Sequence, residues 1–200
     1  AWSVDPEIFS RADLLAGHSV GEIPAGAAAG AFSAEAAMVL VRERGRAMAE
    51  AASRTATSMT AVIGGDADEV LAAIEAAGLT PANHNGKGQV VAAGTVEQLE
   101  AFAAKPPSRT RLFPLSVAGA FHTVHMEPAV DHLREVAAAM PTTTPSVALL
   151  SNLDGNVVTD GREFANRLVN QVAHPVRWDL CMDTMVERSV TGLLELAPAG

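Results

Sequence analysis

The chain has 200 residues, of which 48% are hydrophobic, enough to fill the core of one ordinary domain. Its formal net charge of −9 disfavours nucleic-acid binding, which depends on clustered Lys and Arg that neutralise phosphates. The sequence has no apolar run of the roughly 20 residues that a membrane span requires and no secretory leader pattern, so we expect a cytoplasmic protein. Its single cysteine, Cys181, cannot form an internal disulfide.

The first predicted elements are a short strand, a tight turn and a helix. Residues 12–17 form an apolar run that ends in glycine, which is typical of a buried strand. Residues 32–52 have the apolar spacing of a long helix with Ser33 as its N-cap. Between them, Pro24 lies early in the helix that we expect after the turn.

Shorter units follow from residue 57 to 117, in the order strand, helix, strand, strand, helix, strand. A Gly-Lys-Gly turn at 86–88 joins the two middle strands. This βαββαβ order is that of a ferredoxin-like unit. We therefore predict a ferredoxin-like small subdomain at 57–117, inserted between two parts of a larger α/β core at 1–56 and 118–200.

The last third of the chain returns to the core pattern. A helical pattern within 119–140 is followed by a buried strand at 147–152 and by a helix, 163–178, that Pro175 ends. Residues 190–200 have the pattern of one more core strand running into a turn. Because this strand lacks a closing helix and the first strand lacks a preceding partner, we expect a chain truncated at both ends.

A glycine-flanked serine follows the first predicted strand. Residues 17–21, Gly-His-Ser-Val-Gly, fit the G-x-S-x-G nucleophile elbow, in which a strained strand-to-helix turn exposes the serine hydroxyl. Charge that develops on an acyl oxygen beside Ser19 would meet the backbone N–H of Val20 and the positive end of the helix dipole. The pattern predicts a serine nucleophile on an α/β-hydrolase-like parallel-sheet core. A chance glycine-serine turn is the alternative interpretation.

A serine nucleophile needs a general base, and the sequence offers six histidines. His122 is the best placed, because it follows a strand-like run and a glycine-bearing loop where the chain re-enters the core. His18 lies inside the elbow and would point away from the serine hydroxyl, while His84 belongs to the small subdomain. The remaining three are typical of solvated or capping positions: His125, His132 and His174.

Five sequence blocks together resemble a known family. In chain order they are GHSVGE, RERGRAM, NHNGKGQVVAAG, GAFHTVHM and NQVAHPVRW. Their order and separations resemble those of malonyl-CoA:acyl carrier protein transacylases and the related acyltransferase domains of polyketide synthases, through nearly the whole chain. The resemblance implies transfer of a malonyl group from malonyl-CoA to the phosphopantetheine thiol of an acyl carrier protein, by a ping-pong route through a malonyl-serine intermediate, in fatty-acid or polyketide synthesis.

The resemblance also implies roles for particular residues. Ser19 would be the nucleophile, and His122 would be the general base that later protonates the departing thiol. In the family a main-chain carbonyl orients this histidine, and Gln171 matches the position that supplies it. Arg44 would hold the free carboxylate of malonyl through a two-pronged ion pair. By residue type alone, Arg44 would belong to a solvated helix face.

Further residues would border the substrate. Phe121 resembles the bulky residue in the malonyl-selective form of the family, where it would crowd an α-methyl branch. His18 and Asn85 are possible cleft residues, although Asn83 and Asn85 also fit an ordinary hairpin turn. The family's glutamine-rich segment, which supplies a second oxyanion donor, has no counterpart in these 200 residues.

No metal or organic cofactor is predicted, and coenzyme A and carrier-protein phosphopantetheine enter only as parts of substrates. Two alternatives to the transacylase stay open from the residues themselves. One is an α/β-hydrolase-type serine esterase or thioesterase, which would need an acid between the serine and the histidine. The other is a non-catalytic fragment that binds acyl carrier protein or coenzyme A.

Overall fold

The computed structural model describes residue 7 and residues 11–197. The first part of the predicted core, 1–6 and 8–10, therefore lies outside the described residues. The strands are β1 (Leu14–Leu15), β2 (Thr57–Gly64), β3 (Thr80–Gly86), β4 (Gln89–Thr95), β5 (Thr110–Pro114), β6 (Ala148–Leu150), β7 (Val157–Val158) and β8 (Val176–Arg177). The α-helices are α1 (Glu22–Ala28), α2 (Ala34–Ala52), α3 (Ala67–Ala76), α4 (Val96–Ala104), α5 (Glu127–Ala139), α6 (Gly161–Gln171) and α7 (Trp178–Glu187). Short 3-10 turns precede α1 and α5: Ser19–Gly21 and Val124–Met126.

The strands form two sheets. The smaller sheet has the order β1-β6-β7, with β6 parallel to β1 and antiparallel to β7. The larger has the order β5-β2-β4-β3-β8; its first four strands pair antiparallel, and β8 runs parallel to β3. The fold is therefore α/β with mixed sheets, whereas the sequence predicted a parallel core sheet. The difference lies in β7, which returns beside β6 through a turn closed by hydrogen bonds between Ser151 and Asn156 and between Ser151 and Gly155.

All six elements predicted between residues 57 and 117 are present, from β2 to β5. Their helices cover one face of the larger sheet, where Val62, Ile74, Leu79 and Phe102 are buried together. The fifth strand of this sheet, β8, comes from outside that range. The C-terminal part of the chain is thus hydrogen-bonded into the sheet that the sequence assigned to the small subdomain.

Helix α2 begins where the sequence predicts. The Ser33 side chain accepts a hydrogen bond from the backbone N–H of Ala36 at 3.2 Å, which caps the helix. One face of α2 packs against α5, with Met48 and Leu133 buried in the contact. This packing fixes α2 beside the loop that carries His122.

Helix α1 tolerates a proline because of where the proline lies. Pro24 is the third residue of the helix. The first backbone N–H groups of a helix have no partner within it, so a proline in this turn removes no helical hydrogen bond.

The predictions for the last third of the chain need correction. Residues 190–197 contain no strand, and Leu193 and Leu194 are each 71% exposed. An apolar run has the sequence pattern of a strand, but a strand also needs a neighbouring strand to pair with. None of the described strands pairs with residues 190–197. The rest of that prediction, 198–200, lies outside the described residues.

The helix predicted at 163–178 ends earlier, at Gln171, and a separate helix, α7, follows β8. Pro175 therefore lies between α6 and β8 and does not terminate α6 itself. Of the helices described, none combines the length and the apolar character needed to cross a membrane.

Candidate active site

Ser19 occupies the turn between β1 and α1, at the start of the 3-10 segment. Its φ of 53° lies in the left-handed region, which residues with a side chain rarely adopt. The two flanking glycines differ. A Cβ on Gly17 would overlap the backbone carbonyl of Gly21, whereas a Cβ on Gly21 would meet nothing within 4 Å. The close approach of the backbone in this turn therefore requires a glycine at position 17 but not at position 21.

The structure brings His122 to Ser19, although the two lie 103 residues apart in the chain. The Nε2 atom of His122 is 2.7 Å from the Ser19 Oγ, and its Nδ1 is 2.8 Å from the carbonyl oxygen of Gln171. Because a carbonyl can only accept, Nδ1 carries the proton and Nε2 is free to accept one from the serine hydroxyl. His122 also has a left-handed backbone, with a φ of 63°.

Burial keeps the imidazole of His122 neutral. The side chain is almost wholly inaccessible, and desolvation lowers its pKa to about 4. The hydrogen bond to the Gln171 carbonyl raises the pKa, and the nearby charge of Arg44 lowers it again. At neutral pH, His122 is therefore in the form that can accept a proton.

Arg44 points from α2 into the same site. Its Nη2 lies 3.4 Å from the Ser19 Oγ and 3.3 Å from the Gln171 Oε1. Burial lowers its pKa to about 10, and the charge of Glu22 partly offsets this, so the guanidinium stays protonated at neutral pH. The neighbouring cations on α2 are more exposed to solvent than Arg44: the side chains of Arg42 and Arg46 are 57% and 70% exposed.

A cavity of about 310 Å³ opens beside these side chains. Its lining includes Ser19, Arg44, Met48, Phe121 and His122. The cavity therefore offers a nucleophile, a base, a fixed cation and apolar walls to one small acyl group. Within residue 7 and residues 11–197, no three His, Cys, Asp or Glu side chains are grouped so that they could hold a metal ion.

The hairpin of β3 and β4 reaches the elbow. The His18 Nε2 and the Asn85 Oδ1 are 2.9 Å apart, and the His18 ring meets the Trp178 ring edge-on at 5.7 Å between centroids. His18 is thus turned toward Asn85, as expected for a residue that does not serve the serine. Asn83 is buried within β3, where it pairs with Val176 of β8.

Two of the remaining histidines have partners outside the site. On the surface, His132 pairs with Glu43 at 3.0 Å, and the Nδ1 of His174 lies 2.8 Å from the carbonyl of Asn170 near the end of α6. Both placements agree with the sequence prediction of solvated or capping positions. His84 is half-buried in β3, and burial lowers its pKa.

Two site residues escaped the sequence analysis, and the first is Asn152. Its Oδ1 accepts a hydrogen bond from the Ser19 N–H at 2.7 Å, and its Nδ2 donates to the Gly17 carbonyl at 2.9 Å. Asn152 follows β6, the parallel neighbour of β1, so both turns leave the same edge of the sheet. A polar residue just after a buried strand was the available signal.

The second is Glu22, the last residue of the block GHSVGE. Its carboxylate is buried, accepts the Asn152 backbone N–H at 2.8 Å, and accepts a further hydrogen bond from the Gln171 Nε2. Desolvation raises its pKa to about 7, against the opposing effect of these hydrogen bonds. Nothing in the sequence separates a buried glutamate at the start of a helix from an exposed one.

Comparisons with known proteins find similar sequences. The Acyl transferase domain family matches residues 10–198. The malonyl CoA-acyl carrier protein transacylase of Mycobacterium tuberculosis (strain ATCC 25618 / H37Rv) is 48% identical over 187 residues, which are 94% of this chain and 62% of that protein. Its counterpart in Bacillus subtilis (strain 168) is 35% identical over 193 residues, which are 93% and 61%. The chain thus spans about three fifths of the length of these relatives.

Solved structures are similar as well. MCAT from Mycobacterium tuberculosis matches with a TM-score of 0.94 at 46% identity, over 98% of this chain and 66% of that one. A type II PKS acyl-carrier protein in complex with its malonyl-transacylase, PlMCAT:AntF (holo), matches with a TM-score of 0.85 at 32% identity, over 94% of this chain and 63% of that one.

Proposed function

The chain belongs to the acyl transferase domain family, and we propose that it transfers a malonyl group from malonyl-CoA to the phosphopantetheine thiol of an acyl carrier protein. One observation carries the proposal: the Ser19 Oγ lies 2.7 Å from the His122 Nε2 and 3.4 Å from the Arg44 Nη2. A serine with a neutral base performs acyl transfer, and a partly buried cation beside it favours an acyl group with a free carboxylate. The transacylases of the relatives described above act on the same two substrates by name.

In the first half-reaction, the Ser19 Oγ attacks the thioester carbonyl carbon while the His122 Nε2 takes the hydroxyl proton. The backbone N–H of Val20 donates to the oxyanion of the tetrahedral intermediate. The carbon–sulfur bond then breaks, and His122 returns its proton to the sulfur of coenzyme A. A malonyl ester remains on Ser19.

The second half-reaction reverses these steps with a new thiol. His122 takes the proton of the phosphopantetheine thiol, whose sulfur attacks the ester carbonyl of malonyl-Ser19. The carbon–oxygen bond to Ser19 breaks, and the proton returns from His122 to the serine oxygen. The hydrogen bond from Nδ1 to the Gln171 carbonyl keeps the ring in the required tautomer through both halves.

The residues that line the cavity determine which acyl group is selected. The Arg44 guanidinium binds the malonyl carboxylate, which an acetyl group lacks. Phe121, on the same cavity, crowds an α-methyl branch, a discrimination worth about 1–3 kcal/mol. We assign His18 and Asn85, whose side chains lie 2.9 Å apart beside the elbow, to the substrate cleft on the β3–β4 side.

We propose the same division of the chain as the sequence predicts. The segment 57–117 is a ferredoxin-like small subdomain, which the βαββαβ order and the antiparallel pairing of β2 to β5 support. The segments 1–56 and 118–200 form an α/β-hydrolase-like core, which the elbow after β1 and the parallel pair β1–β6 support. The strand β8 links the two units.

The decisive experiment follows radiolabel from malonyl-CoA. We expect label on the peptide that contains Ser19, its transfer to added carrier protein, and no label in Ser19→Ala. Ser33→Ala, which removes an exposed serine from the N-cap of α2, is the control and should label normally. A folded chain that forms no malonyl-serine would overturn the proposal, and release of free malonate in place of transfer would favour the esterase.

A further inference from the structure

Glu22 is a buried carboxylate that the reaction above does not use. It is 1% exposed, at the first position of α1. One oxygen accepts the Asn152 backbone N–H, and the other accepts a hydrogen bond from the Gln171 Nε2. Because burying a carboxylate is costly even when it is hydrogen-bonded, its position beside the reactive serine calls for a role.

The side-chain amide of Gln171 connects Glu22 to the substrate cation. Its Nε2 also donates to the Ser19 carbonyl at 3.1 Å, and its Oε1 accepts from the Arg44 Nη2 at 3.3 Å. An amide can sit in either of two orientations, with the oxygen and the NH₂ group exchanged. An ionised carboxylate only accepts, so Glu22 draws the NH₂ end toward itself and leaves the oxygen end facing Arg44.

We propose that Glu22 is a positioning residue for malonyl: its ionised carboxylate fixes the Gln171 amide with the oxygen toward Arg44, and so holds the guanidinium where the substrate carboxylate binds. With the amide reversed, its NH₂ group would face the guanidinium, donor against donor. This inference rests on the proposed malonyl transfer, in which Arg44 grips the substrate.

The groups that face Glu22 leave it close to the midpoint of its ionisation at neutral pH. Arg167, on α6, lowers the pKa of Glu22, and Glu22 in turn raises the pKa of Arg44 on α2. From α7, Cys181 faces the same region as a neutral thiol, because burial raises its pKa to about 12. Desolvation outweighs these cations and leaves the pKa of Glu22 at about 7.

A protonated Glu22 would carry an O–H that must donate. The acceptor available on Gln171 is its Oε1, so protonation favours the reversed amide and frees Arg44. The affinity for malonyl-CoA should therefore fall as the pH drops through about 7.

The test uses Glu22→Gln, whose uncharged amide can present NH₂ to Gln171. Two quantities are measured: the KM for malonyl-CoA, and the rate at which phenylmethanesulfonyl fluoride, a neutral reagent without a carboxylate, modifies Ser19. We expect the KM to rise by about 10-fold, as for a weakened hydrogen bond to a charged group, while the modification rate stays within about twofold of wild type.

Glu43→Gln is the matched control. It removes a carboxylate next to Arg44 in sequence, but the Glu43 side chain pairs with exposed side chains on α2 and α5: Arg42, Arg46 and His132. Its KM should equal that of the wild type.

The outcomes separate the two proposals. If the wild type forms no malonyl-serine, the proposed function fails and this inference falls with it. If the wild type forms it and Glu22→Gln keeps the wild-type KM, only the inference is overturned. If the rate of Ser19 modification falls by the same factor as the KM rises, Glu22 has a merely structural role and the inference is also overturned.

Should Glu22→Gln fail to fold, the wild type alone decides. Its KM for malonyl-CoA must rise as the pH falls below about 7, while modification of Ser19 stays level, because the pKa of His122 is about 4. A KM that stays level through this range would overturn the inference.

Discussion

The Nδ1 atom of His122 lies 2.8 Å from the backbone carbonyl of Gln171, so an uncharged group orients the base. A carboxylate in that place would raise the pKa of the imidazole by stabilising its charged form. A carbonyl stabilises the charged imidazole less than a carboxylate would, so the lowering of the pKa by burial outweighs its effect. The base consequently titrates well below the ordinary range of histidine.

The pH dependence of turnover should show this. Malonyl transfer at saturating substrate needs neutral His122, and its pKa of about 4 means that the base is lost only when the pH falls through about 4. We expect kcat to stay level from about pH 8 to pH 5 and then to fall with the uptake of one proton. Circular dichroism at each pH separates this loss from unfolding. An inflection near the ordinary histidine value of about 6.5 would contradict the expectation.

Arg44→Ala should remove the preference for malonyl. Losing this partly buried cation should lower kcat/KM for malonyl-CoA by about 100-fold, equivalent to about 3 kcal/mol, and leave kcat/KM for acetyl-CoA unchanged. Arg42→Ala, on the same helix but 57% exposed, is the control and should behave as the wild type. Equal losses for the two thioesters would refute a carboxylate-binding role for Arg44.

The two glycines of the elbow should respond differently to alanine. At Gly17 the new Cβ would overlap the Gly21 carbonyl, so Gly17→Ala should destabilise the protein by about 3 kcal/mol or more. Gly21 has a helical φ of −62° and free space, so Gly21→Ala should be neutral or stabilising by about 0.4–1 kcal/mol. Urea unfolding of both variants measures the difference, and similar losses would show that the elbow is packed otherwise.

Asn152→Ala should lower the free energy of unfolding by removing the side chain that supports the turn around Ser19. The variant leaves the Ser19 N–H and the Gly17 carbonyl without their side-chain partner, a cost of about 1–3 kcal/mol. Asn156→Ala changes an exposed asparagine four residues later and should cost less than about 0.5 kcal/mol. The comparison is made on the free energy of unfolding. A loss that is no larger in Asn152→Ala than in Asn156→Ala would mean that Asn152 does not support the turn.

The sequence predicted those parts of the structure that are determined by residues close together in the chain. The turn around Ser19 is encoded in five consecutive residues. The unit from β2 to β5 was predicted from the order of its apolar segments and from the Gly-Lys-Gly turn at 86–88. The pairing of His122 with Ser19 was predicted first from the place of His122 after a glycine-bearing loop that re-enters the core, and then from the family resemblance. Hydrophobic periodicity alone does not pair residues so far apart.

What escaped prediction was short or buried and polar. Two-residue strands such as β7 and β8 have no periodicity to detect, and they exist because a neighbouring strand offers hydrogen bonds. Glu22 and Asn152 are polar residues whose burial depends on tertiary partners from α6 and the β6 loop. Only the assembled fold shows that they meet.

Both Ser19 and His122 have a left-handed backbone conformation, which glycine adopts with less strain than a residue with a side chain. At Ser19, whose small side chain is only partly buried, a redesign that scored this chain on folding free energy alone would therefore favour glycine and remove the nucleophile. Saturation mutagenesis read out by abundance in place of activity would mark Ser19 as a site where the native residue is a poor choice for the fold.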